Sequence, residues 1–209
     1  MRDIDNMIFD WSGTLSNSVE SFRQVCDLMF VALGRAPISL DEIRQEFTIP
    51  YMVFWNKYFP DLTKEAQDKL FRKCIAEVDS PKIYDGVKET LSHLDDLHIR
   101  MGVLSSDLYS TLLPEITKSD LHNFFMEIKA EVHEKGPALV NILKKHNFDP
   151  VRTMYVGDTS GDIDAGKFAG VVAVGVSWGY QCEDKLNKSN PDYLIKNISE
   201  LCSLINAVP

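Results

Sequence analysis

Five apolar runs of strand length constrain this chain more than any other feature: Met7 to Phe9, Arg100 to Leu104, Phe124 to Ile128, Thr153 to Val156 and Val171 to Val176. Most are continuous rather than alternating. A strand apolar on both faces needs cover on both faces, as in a parallel sheet with helices above and below. The stretches between the runs read as amphipathic helices. Asp85 stands at an N-cap position ahead of Val87, Leu91, Leu94 and Leu97, which form one stripe at spacings of four and three. Leu139, Ile142, Leu143 and His146 form another, closed by Asn147 and Pro150. Strand and helix alternate from residue 85 onward, which predicts a doubly wound, parallel-sheet α/β fold.

The segment from 17 to 80 breaks that alternation. It carries no strand signal and several helical ones. Asn17 with Glu20, and Ser39 with Glu42, have capping-box spacing. Val19, Phe22, Val25, Cys26, Met29, Phe30 and Leu33 line one helical face up to Gly34, and Pro37, Pro50, Pro60 and Pro81 divide the rest into short helices. Phe47, Tyr51, Phe54, Trp55, Tyr58 and Phe59 read as the small core of this segment. A βαβ crossover needs far fewer residues, so the prediction is an all-helical cap over 17–80, inserted into a Rossmann-like core made of 1–16 and 81–209.

Charge narrows the partners. The chain has 31 acidic against 22 basic residues, a formal net charge of −9, and no Lys/Arg cluster longer than Lys144-Lys145. Phosphate backbones and anionic membrane surfaces both call for a basic face, so neither nucleic acid nor membrane is expected as a partner. No apolar stretch approaches the roughly 20 residues of a membrane span, and the start of the chain lacks the basic and apolar regions of a signal peptide. Cys26, Cys74, Cys182 and Cys202 show no CxxC and no histidine at ligand spacing. Free thiols in a cytoplasmic protein are the expectation.

In an open α/β sheet, ligands bind beyond the carboxyl ends of the strands, so the polar residues after each run are the candidates. These are Asp10-Trp11-Ser12-Gly13-Thr14, Ser105-Ser106-Asp107, Lys135-Gly136-Pro137 and Gly157-Asp158-Thr159-Ser160-Gly161-Asp162. Three carboxylates form a hard oxygen site suited to Mg²⁺, and a lysine with hydroxyls suits an anionic oxygen. Together they are the parts needed for phosphoryl transfer, which depends on positioning and charge neutralisation. Singly, Asp10 reads as a strand-end turn residue; the company of Asp158, Asp162 and Lys135 turns it into a candidate catalytic group. Ser106 rivals Ser105, and Lys129 rivals Lys135, although Gly136-Pro137 opening a helix favours the latter. Trp11 and Trp178 read as packing residues, and the five histidines have no ligand spacing.

Asp10-Trp11-Ser12-Gly13-Thr14-Leu15, Ser105, Lys135 and Gly157-Asp158 followed by Asp162 occur in the order of the four motifs of the haloacid dehalogenase superfamily, which this chain resembles over nearly its whole length. Val174-Gly175-Val176-Ser177-Trp178-Gly179 and Pro191 to Ile195 are similar to the phosphoglycolate phosphatase-like branch. The resemblance implies a phosphatase of a small phosphorylated metabolite. In it, Asp10 is the nucleophile that becomes an aspartyl-phosphate. Mg²⁺ is held by Asp10, the backbone carbonyl of Ser12 and Asp158, with Asp162 completing or supporting the set. Ser105 bonds the transferring phosphoryl oxygens and Lys135 neutralises them. The resemblance leaves oligomeric state open.

Ser12 departs from the pattern. Phosphatases of this superfamily usually carry an aspartate there, acting as general acid and base. A serine hydroxyl titrates far above neutrality, so a contribution of about 10²–10⁴ in rate is missing. Either the leaving group needs no proton, as with acyl or aryl phosphates, or turnover is weak and the chain serves as a phosphate- and Mg²⁺-binding protein. The tryptophan after the nucleophile also resembles phosphonoacetaldehyde hydrolase, whose C–P cleavage relies on a desolvated cap lysine, here one of Lys57, Lys64, Lys69 or Lys73; Lys57, between aromatics, has the most apolar neighbourhood, yet reads better as a solvated helix lysine.

Overall fold

A computed structural model describes residues 4–48 and 51–206. Pro50, read as a helix break, lies outside them. The chain forms two compact units: one takes the residues up to Asn17 and those from Lys82 onward, the other is Ser18–Pro81.

The smaller unit is helical. In α1 (Ser18–Ala32) the buried residues Val19, Val25, Cys26, Met29 and Phe30 recur at helical spacing. α2 (Leu40–Glu46) is capped by Ser39, whose hydroxyl accepts the Glu42 amide at 3.1 Å. α3 (Met52–Tyr58) carries buried Phe54, Trp55 and Tyr58. α4 (Lys64–Ile75) starts at Thr63, whose hydroxyl accepts from the Ala66 amide at 3.2 Å. Rings pack through this core: Phe30 meets Tyr58 and Phe59 edge-on at 5.1 and 5.0 Å, and Phe22 meets Phe47 at 5.8 Å. Tyr51 differs from the expectation: it is exposed, and its hydroxyl donates to Asp68 at 2.9 Å.

The larger unit has six strands: β1 (Asn6–Phe9), β2 (Arg100–Leu104), β3 (Phe125–Lys129), β4 (Thr153–Gly157), β5 (Val172–Val176) and β6 (Tyr193–Ile195). Its helices are α5 (Val87–Asp96), α6 (Tyr109–Lys118), α7 (Lys135–His146), α8 (Ser160–Ala169), α9 (Glu183–Lys188) and α10 (Glu200–Asn206). All strand pairs are parallel, in the order β3-β2-β1-β4-β5-β6. Two buried layers explain the continuous apolar runs. Met7, Phe9, Met101, Val103, Met154 and Val156 pack with Val87 and Leu91 of α5 and Leu112 and Ile116 of α6. Ile8, Leu104 and Tyr155 pack on the other side with Leu139 and Ile142 of α7 and Ala165 of α8. Alternate residues of one strand thus feed opposite cores.

Several expected details shift. Phe124 belongs to a 3₁₀ turn, His122–Phe124, that precedes β3. Gly86, at φ +80°, and not Asp85, occupies the N-cap of α5, which makes no side-chain cap bond. Leu97 steps out of the helix at its C-cap and is exposed, while Thr90 and Ile99 are buried. His146 leaves the α7 stripe to pair with Glu127 of β3. The short strand β6 carries no run long enough to announce itself, since its three residues are read only against β5.

Candidate active site

The order of the strands reverses between β2-β1 and β4, so the ends of β1 and β4 flank a switch point, where open α/β sheets bind ligands. Register sets the depth of each group. Phe9 pairs with Val103 and with Val156, so Asp10, Ser105 and Asp158 emerge within a residue of one level on three adjacent strands. All three are buried.

Asp158 is fixed on both oxygens: the Thr14 hydroxyl donates to Oδ1 at 3.2 Å and the Tyr180 amide to Oδ2 at 2.6 Å. Gly13 is required beside it. Its φ is +80°, and a Cβ there would lie 2.3 Å from Asp158 Oδ2. Asp162 belongs to the first turn of α8, where Thr159 and Asp162 form a reciprocal capping box. Its side chain lies across Gly157, where a Cβ would come within 2.3 Å of the Asp162 Cβ. Lys135, the first residue of α7, reaches across to both acids: Nζ lies 2.9 Å from Asp10 Oδ1 and 2.7 Å from Asp162 Oδ1. The carbonyl of the rival Lys129 accepts the Ser105 amide at 2.8 Å. Ser105 is buried and Ser106 exposed.

Asp10, Asp158 and Asp162 each offer a carboxylate oxygen within 4.8 Å of the others. Against these buried acids, Lys135 is the one cation in ion-pair contact among the described residues. The imbalance shows in the proton affinities. Burial, with the charges of Asp162 and Asp158, pushes Asp10 well above the usual carboxylate range although Lys135 opposes it. Burial and then Asp162 push Asp158 up to about 7. Burial also works against Asp162, but the Lys135 charge and the hydrogen bonds from Lys135, Thr159 and Tyr155 hold it below the ordinary value. Lys135 is kept charged by Asp10 and Asp162 in spite of its burial. Surplus negative charge on an all-oxygen donor set fits a hard divalent cation.

The acids are not equivalent as ligands. Asp162 already accepts Lys135 at 2.7 Å and Tyr155 at 3.0 Å on Oδ1, and the Thr159 amide and hydroxyl at 3.1 and 2.6 Å on Oδ2. A carboxylate has about four lone-pair sites, so Asp10 and Asp158 retain the capacity for a cation and Asp162 braces Lys135.

Ser12 is held by an acid that sequence reading left without a role: its hydroxyl donates to Asp107 at 2.7 Å. Tyr155 was missed too, because a tyrosine inside an apolar run reads as core. Thr159 was legible in principle, since it stands at capping-box spacing from Asp162. Trp11 and Trp178 both pack: Trp11 is fully buried with its indole N–H on Glu115 at 2.8 Å, and Trp178 donates to the Thr14 carbonyl at 3.0 Å. Lys57, in the helical unit, is half exposed and paired with Glu46 at 2.6 Å, which is not the desolvated amine that Schiff-base chemistry needs.

A family model of haloacid dehalogenase-like hydrolases matches residues 7–176. Among curated proteins, a phosphoglycolate phosphatase from Vibrio parahaemolyticus is 28% identical, over 98% of this chain and 97% of its own. The pyrophosphatase PpaX from Bacillus pumilus is 27% identical, with the same shares covered. Among solved structures, a haloacid dehalogenase-like protein from Agrobacterium tumefaciens superposes with a TM-score of 0.81 at 23% identity, covering 98% of each chain. No described helix is long and apolar enough to cross a membrane.

Proposed function

The chain belongs to the haloacid dehalogenase-like hydrolases, and from that premise we propose that it is a Mg²⁺-dependent phosphatase of a small phosphorylated metabolite, working through an aspartyl-phosphate on Asp10. One observation carries the reading: the Asp10 carboxylate is buried at the switch point, 2.9 Å from the Lys135 ammonium and beside two further buried acids. Such a carboxylate is oriented and desolvated for attack.

Asp10 Oδ attacks phosphorus in line with the leaving oxygen; the Oδ–P bond forms and the P–O bond to the leaving group breaks. Water then attacks the phosphorus of the acyl phosphate, releasing inorganic phosphate and regenerating Asp10. Lys135 offsets the charge on the transferring group, and Asp162 fixes Lys135. Ser105, at the end of β2, is the hydroxyl assigned to the phosphoryl oxygens. Mg²⁺ held by Asp10, Asp158 and the Ser12 carbonyl, with Asp162 in support, supplies charge neutralisation in this reading.

Ser12 narrows the substrate. With no carboxylic acid at that position, the leaving group must depart without help from a proton, which favours acyl phosphates, aryl phosphates and phosphoanhydrides over alkyl esters. Similarity to a pyrophosphatase as well as to phosphoglycolate phosphatases is compatible with that range.

The test is phosphate release from a panel of phosphorylated metabolites, acetyl phosphate, pyrophosphate and p-nitrophenyl phosphate with Mg²⁺, using Asp10→Asn as the blank. Release confined to the activated phosphates and lost in EDTA is the expected result. Turnover that survives Asp10→Asn or EDTA refutes the proposal.

A further inference from the structure

Asp107 lies in the loop after β2, half buried. Its Oδ2 accepts two hydroxyl hydrogen bonds, from Ser12 at 2.7 Å and from Ser105 at 2.9 Å. Its own amide donates to the Ser105 hydroxyl at 3.2 Å, and its carbonyl accepts the Glu131 amide at 2.8 Å, so main chain and side chain are both fixed. One carboxylate oxygen therefore ties the end of β2 to the loop that follows the Asp10 strand.

A hydroxyl has a single proton to give. While Ser12 and Ser105 give theirs to Asp107, neither donates to a phosphoryl oxygen. These are charge-assisted O–H···O⁻ bonds, among the stronger kinds, and a second anion must win the protons from the first. It must do so in a partly buried setting, where like charges repel more than in water. Lys135 makes good only part of the shortfall, since two of its three N–H groups are engaged by Asp10 and Asp162.

On the reading of this site as a phosphatase centre, we propose that Asp107 tunes phosphate affinity: it competes with the phosphoryl group for the Ser12 and Ser105 protons and so keeps the site's hold on phosphate loose. The competition acts on bound substrate, transition state and product alike. Its signature is therefore in binding rather than in the chemical step. A residue that merely ordered the loop would move neither phosphate affinity nor KM in the favourable direction.

The experiment titrates inorganic phosphate into the full-length protein with Mg²⁺ by calorimetry, for the wild type, Asp107→Asn, Ser105→Ala and the double variant. Asn keeps one acceptor oxygen for the hydroxyls and removes the charge. The expected result is a Kd for phosphate lowered about five- to tenfold in Asp107→Asn, the scale of the difference between a charge-assisted and a neutral hydrogen bond. KM falls in parallel while kcat stays within about threefold. In the Ser105→Ala background the effect shrinks to about half on a logarithmic scale, because one of the two contested protons is gone. Asp107→Ser gives the same sign and serves if the Asn variant folds poorly. Phosphate binding that is unchanged or weaker in Asp107→Asn, beside normal wild-type binding, overturns this inference alone. So does a collapse of kcat with Kd unmoved, which would make Asp107 a participant in turnover. A wild-type protein that neither binds phosphate nor releases it from the panel overturns the phosphatase reading as well.

Discussion

Lys135 Nζ sits 2.7 Å from Asp162 Oδ1, with 15% of the lysine side chain and 1% of the aspartate side chain open to solvent. The first residue of α7 is thereby locked to the first turn of α8, and the ammonium is delivered to Asp10 by an acid that has no lone pair to spare. Asp162→Asn removes the charge that holds the lysine and leaves Asp10 in place. The expected outcome is a fall in kcat of about 10²-fold with a smaller change in KM, as when an electrostatic positioning group is lost. Steady-state kinetics on acetyl phosphate decides it, and an unchanged kcat contradicts the bracing role.

Asp158 links the proton balance of the buried acid cluster to stability. Its folded-state pKa of about 7 lies above the value of an unfolded aspartate, about 3.9, so the folded state binds the proton more tightly. Stability of the metal-free protein should therefore fall as pH rises from about 4 through about 7, where the group must ionise while buried. Asp158→Asn should raise the metal-free Tm at pH 7.5 by about 3–8 °C, flatten part of that pH slope and abolish stabilisation by Mg²⁺. Thermal melts across pH, with and without Mg²⁺, read all three effects. A variant that is less stable without metal yet still stabilised by it refutes the assignment.

Restoring an acid at position 12 is expected to fail on its own. The Ser12 hydroxyl is 2.7 Å from Asp107, so Ser12→Asp presses two carboxylates together and should cost about 1–2 kcal/mol of stability. Exchanging the pair, Ser12→Asp with Asp107→Ser, restores a hydroxyl–carboxylate contact and puts the acid on the Asp10 loop. The double variant should hydrolyse alkyl phosphates at least about tenfold faster than the wild type. Rates for the single and double variants on one alkyl phosphate measure this, and a single variant that outperforms the double one would count against it.

Gly157 is demanded by Asp162, not by its own backbone. A methyl group at Gly157 would lie 2.3 Å from the Asp162 Cβ, closer than nonbonded carbons can sit. Gly157→Ala should displace Asp162, release Lys135 and lower kcat by about 10²-fold or more, with a stability loss of about 1–3 kcal/mol. Wild-type kinetics in a folded Gly157→Ala protein would show that the site tolerates the shift.

The sequence carried the layered fold because burial on both faces leaves a local mark: Met7, Ile8 and Phe9 are all apolar although alternate residues enter different cores. It also marked Asp10, Ser105, Lys135, Asp158 and Asp162, since each follows a strand or opens a helix at the one edge where a doubly wound sheet can bind a ligand. The helical segment was legible from its caps and prolines. Boundaries were less so. Asp85 has the chemistry of a cap, but the chain turns through a left-handed Gly86 instead.

What the linear order does not contain is which polar groups meet. Asp107 and Ser12 are 95 residues apart, and their contact depends on strands β1 and β2 being neighbours in register. Lys135 and Asp162 are 27 apart, and their contact depends on the packing of α7 against α8. Periodicity reports how a residue relates to its own helix or strand. Hydrogen bonds and ion pairs across elements form only when the sheet and its layers assemble. The sequence thus determined the fold and the candidate residues of the site, and the tertiary structure alone decided that Asp162 braces the lysine and that Ser12 answers to Asp107.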